Sequence, residues 1–130
     1  MRARPLSPHL SVYRFKYTLT TSILNRLTGM VLSAGLLVLV YWLMALSGGA
    51  RGYEQARALL GLAPFKLVYA ALLIAFCYHL VAGIRHLVWD TGRGLEKRQS
   101  QRSAWLITVV SLVLMALLGY WWLAAGGRAP

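Results

Sequence analysis

One stretch of the chain places two histidines and an aspartate at helical spacing, beginning inside an apolar segment and ending in a charged one. Steps of four, three and four residues separate His79, Gly83, His86 and Asp90. This spacing puts all four on one face of an α-helix, and Ala75 extends that face by one turn. His79 therefore has an alanine one turn before it and a glycine one turn after it. The space beside its imidazole is flat and open, as a planar metal-binding macrocycle such as haem would need.

A second interpretation of His79 stays open, in which the ring only packs against a neighbouring helix or hydrogen-bonds it. In a soluble core, that is the usual role of a single histidine on an apolar face. In a membrane helix the balance shifts, because a full charge at the bilayer centre costs about 2.5–3.5 kcal/mol on insertion scales and ionisable residues there tend to be functional. Spacing alone therefore leaves both iron coordination and simple packing open.

A second polar face precedes this one in the chain. Steps of four, three and four residues again separate Ser22, Arg26, Gly29 and Ser33. A small and polar face favours contact with other helices over contact with lipid. Arg26 lies at the edge of an apolar block, so it could simply reach a lipid phosphate. Alternatively, a guanidinium beside a hydroxyl could hold a quinone oxygen or a haem propionate.

The elements that must position these residues are three apolar blocks without charged side chains, at 27–50, 67–84 and 103–127. At about 1.5 Å per residue, each block extends about 27 Å or more. That is enough to cross a hydrocarbon layer of about 30 Å when flanking residues snorkel. We therefore predict an all-α membrane protein with a single domain, 1–130, and transmembrane helices at 22–47, 65–89 and 103–124.

The charge distribution predicts partners and orientation. The formal net charge is +11, but the basic residues lie at the ends of the apolar blocks, where they meet membrane lipid. We therefore predict that the chain does not bind nucleic acid. The basic residues concentrate before the first span and around the second link, which places the N-terminus in the cytoplasm by the positive-inside rule. Residues 1–21 are then expected along the inner interface, and 53–62 as a short amphipathic helix outside. The N-terminus has the pattern of neither a signal peptide nor a transit peptide, which favours a bacterial inner membrane.

Three segments also carry a resemblance to a known family. The sequence reads R-P-L-S-P-H-L-S-V-Y at 4–13, S-I-L-N-R-L-T-G at 22–29 and H-L-V-A-G-I-R-H-L-V-W-D at 79–90. Together and in this order, these segments closely resemble the cytochrome b subunits of succinate dehydrogenase, which are membrane anchors of respiratory complex II. The resemblance implies a haem-binding helical bundle shared with a second small anchor subunit. It also implies that electrons from succinate pass through a flavoprotein subunit and an iron–sulfur subunit to ubiquinone.

The resemblance implies roles for individual residues. His79 matches the axial ligand of haem b, and so of its iron. Ser22 and Arg26 match the pair that lines the ubiquinone site, and Arg26 is also expected to help hold a haem propionate. His86 and Asp90 match positions near the propionates and the quinone pocket.

One position departs from the family pattern. The residue before Arg26 is usually histidine or arginine in this family, and here it is Asn25. A neutral amide can still hydrogen-bond a propionate or water, but it supplies no charge. The haem potential or the quinone affinity is therefore expected to differ.

The second axial imidazole is expected to come from another chain. A b haem with two histidine ligands needs both rings at similar depth. His9 is expected outside the membrane, and His86 lies about 10 Å of helix rise from His79. Neither can complete the coordination opposite His79, and the resemblance likewise assigns the second histidine to the partner anchor subunit.

Three alternatives stay open on sequence alone. The chain could be a haem-free structural anchor of a respiratory complex. It could also anchor a fumarate reductase that uses menaquinone. A small basic transporter or holin-like oligomer is a third alternative, although it would need a polar face along most of a span and the third apolar block has none.

Overall fold

The structure is a computed structural model that describes residues 17–126, and this range contains four helices. They are α1 (Tyr17–Ser47), α2 (Gly49–Leu60), α3 (Ala63–Asp90) and α4 (Lys97–Gly126). Three of them, α1, α3 and α4, contain segments long and apolar enough to cross a membrane. The predicted all-α fold with three spans is therefore confirmed. Because α3 packs extensively against both α1 and α4, which contact each other less, it is the central helix of the three spans.

The first helix begins at Tyr17, whereas the sequence predicted its start at residue 22. Residues 17–21 are thus helical, and the rest of the predicted interfacial segment lies outside the described residues. Tertiary contacts stabilise this added turn. The Tyr17 ring stacks on Trp105 of α4 with 4.9 Å between ring centroids, and its hydroxyl hydrogen-bonds Thr108. Contacts with α4, which the α1 sequence does not encode locally, therefore extend the helix.

Two consecutive glycines, Gly48 and Gly49, lie at the junction of α1 and α2. The backbone N–H of Gly48 bonds to the last turn of α1, and Gly49 has a φ of 75°, which side chains disfavour. The short amphipathic helix predicted at 53–62 is present, but it runs from Gly49 to Leu60. Its residues Ala56 and Leu60 are buried. Pro64 lies in the first turn of α3, where a missing backbone donor has no helical partner to lose.

The link between α3 and α4 is shorter than predicted. The sequence placed a polar link at 90–102, but α4 already begins at Lys97. Gly92 and Gly94 make the turn with φ values of 77° and 76°. The end of an apolar block marks where the chain leaves the hydrocarbon layer, and the helix continues past that point through a charged turn. Arg85 of α3 hydrogen-bonds Ser100 in this turn, which favours the longer helix.

Small side chains form the contacts between the spans. The buried residues of α3 include Ala75, Cys77 and Ala82, and those of α4 include Ala104 and Ser111. Small residues allow helix backbones to approach closely, which is how helices associate in a membrane. Large apolar side chains are exposed on the outside of the bundle instead, as expected for a chain surrounded by lipid.

The start of α1, the end of α3 and the start of α4 lie together at one end of the bundle. We call it the basic end, because five arginines lie there: Arg26, Arg85, Arg93, Arg98 and Arg102. The opposite end carries α2.

Candidate functional site

The imidazole of His79 lies against α1. Its Nδ1 is 3.0 Å from the backbone carbonyl oxygen of Asn25 and 3.3 Å from Oγ1 of Thr28. A carbonyl oxygen can only accept a hydrogen bond, so Nδ1 must carry the proton in this arrangement. In the neutral ring, the other nitrogen, Nε2, then keeps its lone pair. This is the tautomer in which a histidine binds a metal through Nε2 while Nδ1–H is held by a backbone acceptor.

A glycine of α1 permits this close approach. A Cβ at Gly29 would lie 3.0 Å from Cε1 and 3.5 Å from Nδ1 of His79. The backbone of α1 therefore forms one wall against the ring. Gly29 belongs to the small polar face of Ser22, Arg26 and Ser33 predicted to point at other helices, and for Gly29 that prediction is confirmed.

An open groove of about 600 Å³ runs between α1 and α3 beside this ring. His79, Gly29 and Ser33 contribute to its walls, and the others are almost all apolar: Leu32, Gly35, Leu36, Leu39, Leu72, Leu73 and Phe76. An apolar groove with an imidazole and a hydroxyl suits the edge of a large, flat and mostly apolar ligand. The residues present therefore fit a haem, with His79 as the one ligand that this groove offers to iron.

The flat space predicted beside His79 is only partly where the sequence placed it. A Cβ at Gly83 would meet nothing within 4 Å, so that side is open as expected. Ala75 is 3% exposed, so it is packed against its surroundings and borders no open space. The groove lies instead between α1 and α3, where Gly29, Ser33 and Gly35 are its smallest lining residues on α1.

Ser22 and Arg26 lie on α1 at the basic end, in the two turns before Gly29. Ser22 is half-buried and Arg26 is exposed, and neither side chain hydrogen-bonds another described residue. The side-chain Oδ1 of Asn25 is buried and has no hydrogen-bond partner among residues 17–126. A donor for this acceptor would have to come from outside these residues.

His86 and Asp90 do not meet His79. The His86 ring lies edge-on to Trp89 with 5.2 Å between centroids, and Asp90 is exposed at the last residue of α3. Both follow the predicted face of the helix towards the basic end, beyond the groove. Among the described residues, no group of three His, Cys, Asp or Glu side chains could hold a metal ion.

One buried residue, Arg85, was not singled out by the sequence. Its guanidinium, 7% exposed, donates to Thr21 Oγ1 at 3.1 Å and to the Ser100 carbonyl at 3.0 Å. It also lies 3.9 Å from the ring centre of Trp89. From the sequence, Arg85 was expected only as one of the basic residues at the membrane interface, around the link between the second and third spans. A usable signal was present, because Tyr78, Ala82, Arg85 and Trp89 follow the same four-and-three spacing on a second face of α3.

Comparison with known proteins gives a consistent result. The family described as succinate dehydrogenase/fumarate reductase transmembrane subunit matches residues 1–118. The succinate dehydrogenase cytochrome b556 subunit of Rickettsia typhi is 38% identical over 115 residues, covering 88% of this chain and 90% of that protein. The subunit of the same name in Paracoccus denitrificans is 39% identical over 118 residues, covering 88% of each.

A mitochondrial relative matches as well. The succinate dehydrogenase cytochrome b560 subunit of Mus musculus is 37% identical over 125 residues, covering 94% of this chain and 70% of that protein. With a family match over nearly its whole length, bacterial relatives of similar size and three membrane-crossing helices, the chain is a multi-pass membrane protein that belongs to the family of succinate dehydrogenase/fumarate reductase transmembrane subunits.

Proposed function

We propose that this chain is the haem b-binding membrane anchor of a succinate dehydrogenase, and that it forms part of the site where ubiquinone is reduced. The observation that carries the proposal is the bond between Nδ1 of His79 and the Asn25 carbonyl, at 3.0 Å. In the neutral ring this bond leaves the lone pair of Nε2 free, and His79 lines an apolar groove of about 600 Å³. The names of the relatives, which are cytochrome b556 and b560 subunits, support the same cofactor.

When bound, haem b supplies a centre that takes up and returns one electron. The contribution of this chain is to orient one imidazole, through the Asn25 carbonyl and Thr28, and to exclude water with the apolar walls of the groove. Gly29 keeps the backbone of α1 close enough to the ring for that hydrogen bond. A second axial histidine would come from a second small anchor subunit.

For the quinone, Ser22 and Arg26 would act as hydrogen-bond donors. A hydroxyl and a guanidinium near a carbonyl oxygen favour the state in which that oxygen gains negative charge, so they favour reduction of the quinone. Arg26 would also be able to hold a haem propionate. His86 and Asp90, which lie nearer the basic end, would have supporting roles near the propionates and the quinone pocket. Succinate itself would be oxidised elsewhere, by a flavoprotein subunit that passes electrons through an iron–sulfur subunit.

The same proposal fixes the location of the chain. The basic end would face the cytoplasm of a bacterium, with the chain in the inner membrane and the soluble subunits docked on that side. The excess of arginines at this end supports the orientation through the positive-inside rule.

The test is a visible spectrum of the complex purified with its partner subunits. His79→Ala should abolish the reduced b-type absorbance band, because the groove then offers no ligand to iron. His86→Ala is the matched control: it removes the same side chain from the same helix about 10 Å away, and the band should remain. A band unchanged by His79→Ala would instead favour the haem-free anchor.

A second candidate, a fumarate reductase anchor that uses menaquinone, has one observation in its favour, since the matching family covers both enzymes. Turnover of ubiquinone and menaquinone by the purified complex, each measured in both directions, separates the two. The small transporter or holin-like oligomer has no support in the family.

A further inference from the structure

The basic end of the bundle contains a buried cation that the proposed function does not use. Arg85 is 7% exposed, and all three acidic side chains of the protein, Glu54, Asp90 and Glu96, lie within the described residues. None of them is within ion-pair distance of Arg85. A buried charge without a carboxylate is costly and is found where it serves a purpose.

The guanidinium of Arg85 connects the three spans instead. One terminal nitrogen donates to Thr21 Oγ1 of α1 at 3.1 Å. The other donates to the carbonyl and hydroxyl oxygens of Ser100 of α4, at 3.0 and 3.3 Å. The planar group also lies over Trp89, whose Nε1 donates to the Gly94 carbonyl in the α3–α4 link at 3.1 Å. A lysine could not form this fork, because its single nitrogen cannot span both partners while stacking.

A second bond reinforces the contact with α1. The hydroxyl of Tyr78 donates to the backbone carbonyl of Thr21 at 3.0 Å. Tyr78 and Arg85, which lie on a different face of α3 from His79, therefore bind Thr21 of α1 through its main chain and its side chain respectively. This fixes the rotation and the height of α1 relative to α3.

The residues held in this way are the sequence neighbours of the candidate ligand-binding residues. Thr21 precedes Ser22, and Tyr78 precedes His79. On a helix, neighbouring residues are about 100° apart, so a rotation of α1 at Thr21 also moves Ser22 relative to His79. The same rotation would change the distance from the Asn25 carbonyl to His79 Nδ1.

We propose that Arg85 is a positioning residue for the haem and quinone site, acting through Thr21 to fix the register of α1 against α3. Arg85 itself contacts neither ligand. The inference rests on the proposed function, because it concerns where Ser22 and His79 lie relative to one another.

The experiment compares Arg85→Lys, Arg85→Gln and Thr21→Val in the complex purified with its partner subunits. The readouts are KM and kcat for ubiquinone and the electron paramagnetic resonance signal of the oxidised haem, which reports the orientation of the axial imidazoles. We expect KM to rise about tenfold in both Arg85 variants, as is reasonable for a displacement of less than 1 Å in a positioned site. The haem signal should shift in both, while kcat should change by less than about threefold.

Two comparisons separate positioning from other roles. Thr21→Val removes one hydroxyl and keeps the shape, so it retains the fold and should change KM in the same direction. Combined with Arg85→Gln it should add little, because the two share one bond. Arg102→Gln, an exposed position of α4 at the same end, removes the same charge and should leave both readouts unchanged.

The inference is overturned by an Arg85→Lys variant with the KM and haem signal of the unaltered complex, since charge alone would then suffice. Effects of Thr21→Val and Arg85→Gln that simply add would also overturn it. If the unaltered complex shows no haem band and no ubiquinone turnover, the proposed function fails and this inference fails with it. If the unaltered complex has the haem band and reduces ubiquinone, and the Arg85 and Thr21 variants have the same KM and haem signal, the proposed function stands and this inference alone fails.

Discussion

Replacing Gly29 by alanine should weaken haem binding while leaving the helix at least as stable as before. The new Cβ would lie 3.0 Å from Cε1 of His79, whereas carbon atoms in contact settle at about 3.5–4.0 Å. The ring and α1 must therefore separate by about 0.5 Å. The bond from Nδ1 to the Asn25 carbonyl, now 3.0 Å, would lengthen to about 3.5 Å, the outer limit of a useful hydrogen bond.

The expected loss of haem affinity follows from that bond. A neutral hydrogen bond contributes about 0.5–1.5 kcal/mol net, and about 1.4 kcal/mol corresponds to a factor of ten. Loss of a partner that orients a metal-binding histidine typically costs about 10–100-fold in affinity. We expect haem retention to fall about tenfold. Alanine is also a better helix former than glycine by about 1 kcal/mol, so misfolding of α1 does not account for the loss.

The assay is the haem-to-protein ratio of the purified complex, followed over time with a haem-scavenging protein in excess. Gly119→Ala is the matched control, because it makes the same change within a membrane-crossing helix and its Cβ would meet nothing within 4 Å. Equal haem retention in Gly29→Ala and Gly119→Ala would refute the reasoning. It would mean that the ring tolerates the displacement, and that the Asn25 carbonyl does not control the ligand.

Three further predictions concern other positions of the site and the bundle. Arg26→Gln and Ser22→Ala should each raise the KM for ubiquinone while the reduced haem band remains. The larger effect, about tenfold or more, is expected for Arg26→Gln, because it removes the charged donor. Steady-state kinetics and a visible spectrum of the same samples check this. Asn25→Arg should raise the haem midpoint potential in a redox titration, because an added positive charge nearby favours the reduced haem, and a lower potential would contradict that electrostatic reasoning. Ser111 is 1% exposed and its hydroxyl has no partner among the described residues. Ser111→Ala should therefore raise the melting temperature of the complex, because it removes a desolvation penalty of about 1–3 kcal/mol. A clear fall in melting temperature would indicate a partner for the hydroxyl in the assembled complex.

The spans and the region of the site were predictable because both follow from local patterns. An uncharged block of lipid-crossing length predicts a membrane helix wherever it occurs, and the four-and-three spacing identifies the faces that meet. The approach of Gly29 to His79 is a direct consequence of two such faces pairing. The helix ends were less predictable, because Tyr17 and Lys97 begin their helices in polar sequence that tertiary contacts hold in place.

Arg85 shows the limit of local patterns more clearly. A single arginine near the end of an apolar block usually reaches towards lipid phosphate. The four-and-three spacing of Arg85 with Ala82 and Trp89 indicates a second packed face, but it does not identify the residues that this face meets. The burial of Arg85 depends on Thr21, Ser100 and Trp89 meeting at one point, which involves α1, α3 and α4 at once. The sequence also predicted open space beside Ala75, which is in fact buried. Its burial depends on the neighbouring helices that pack against it, and local spacing does not show these contacts.

The acceptor that holds His79 belongs to the main chain of Asn25 and not to its side chain. Any residue that continues the helix at position 25 presents the same oxygen at the same place. Substitutions there can therefore change the local charge without releasing the ring or switching its tautomer. The charge at position 25 and the geometry of the His79 ring are therefore set by different atoms of the same residue, so one can be changed while the other is kept.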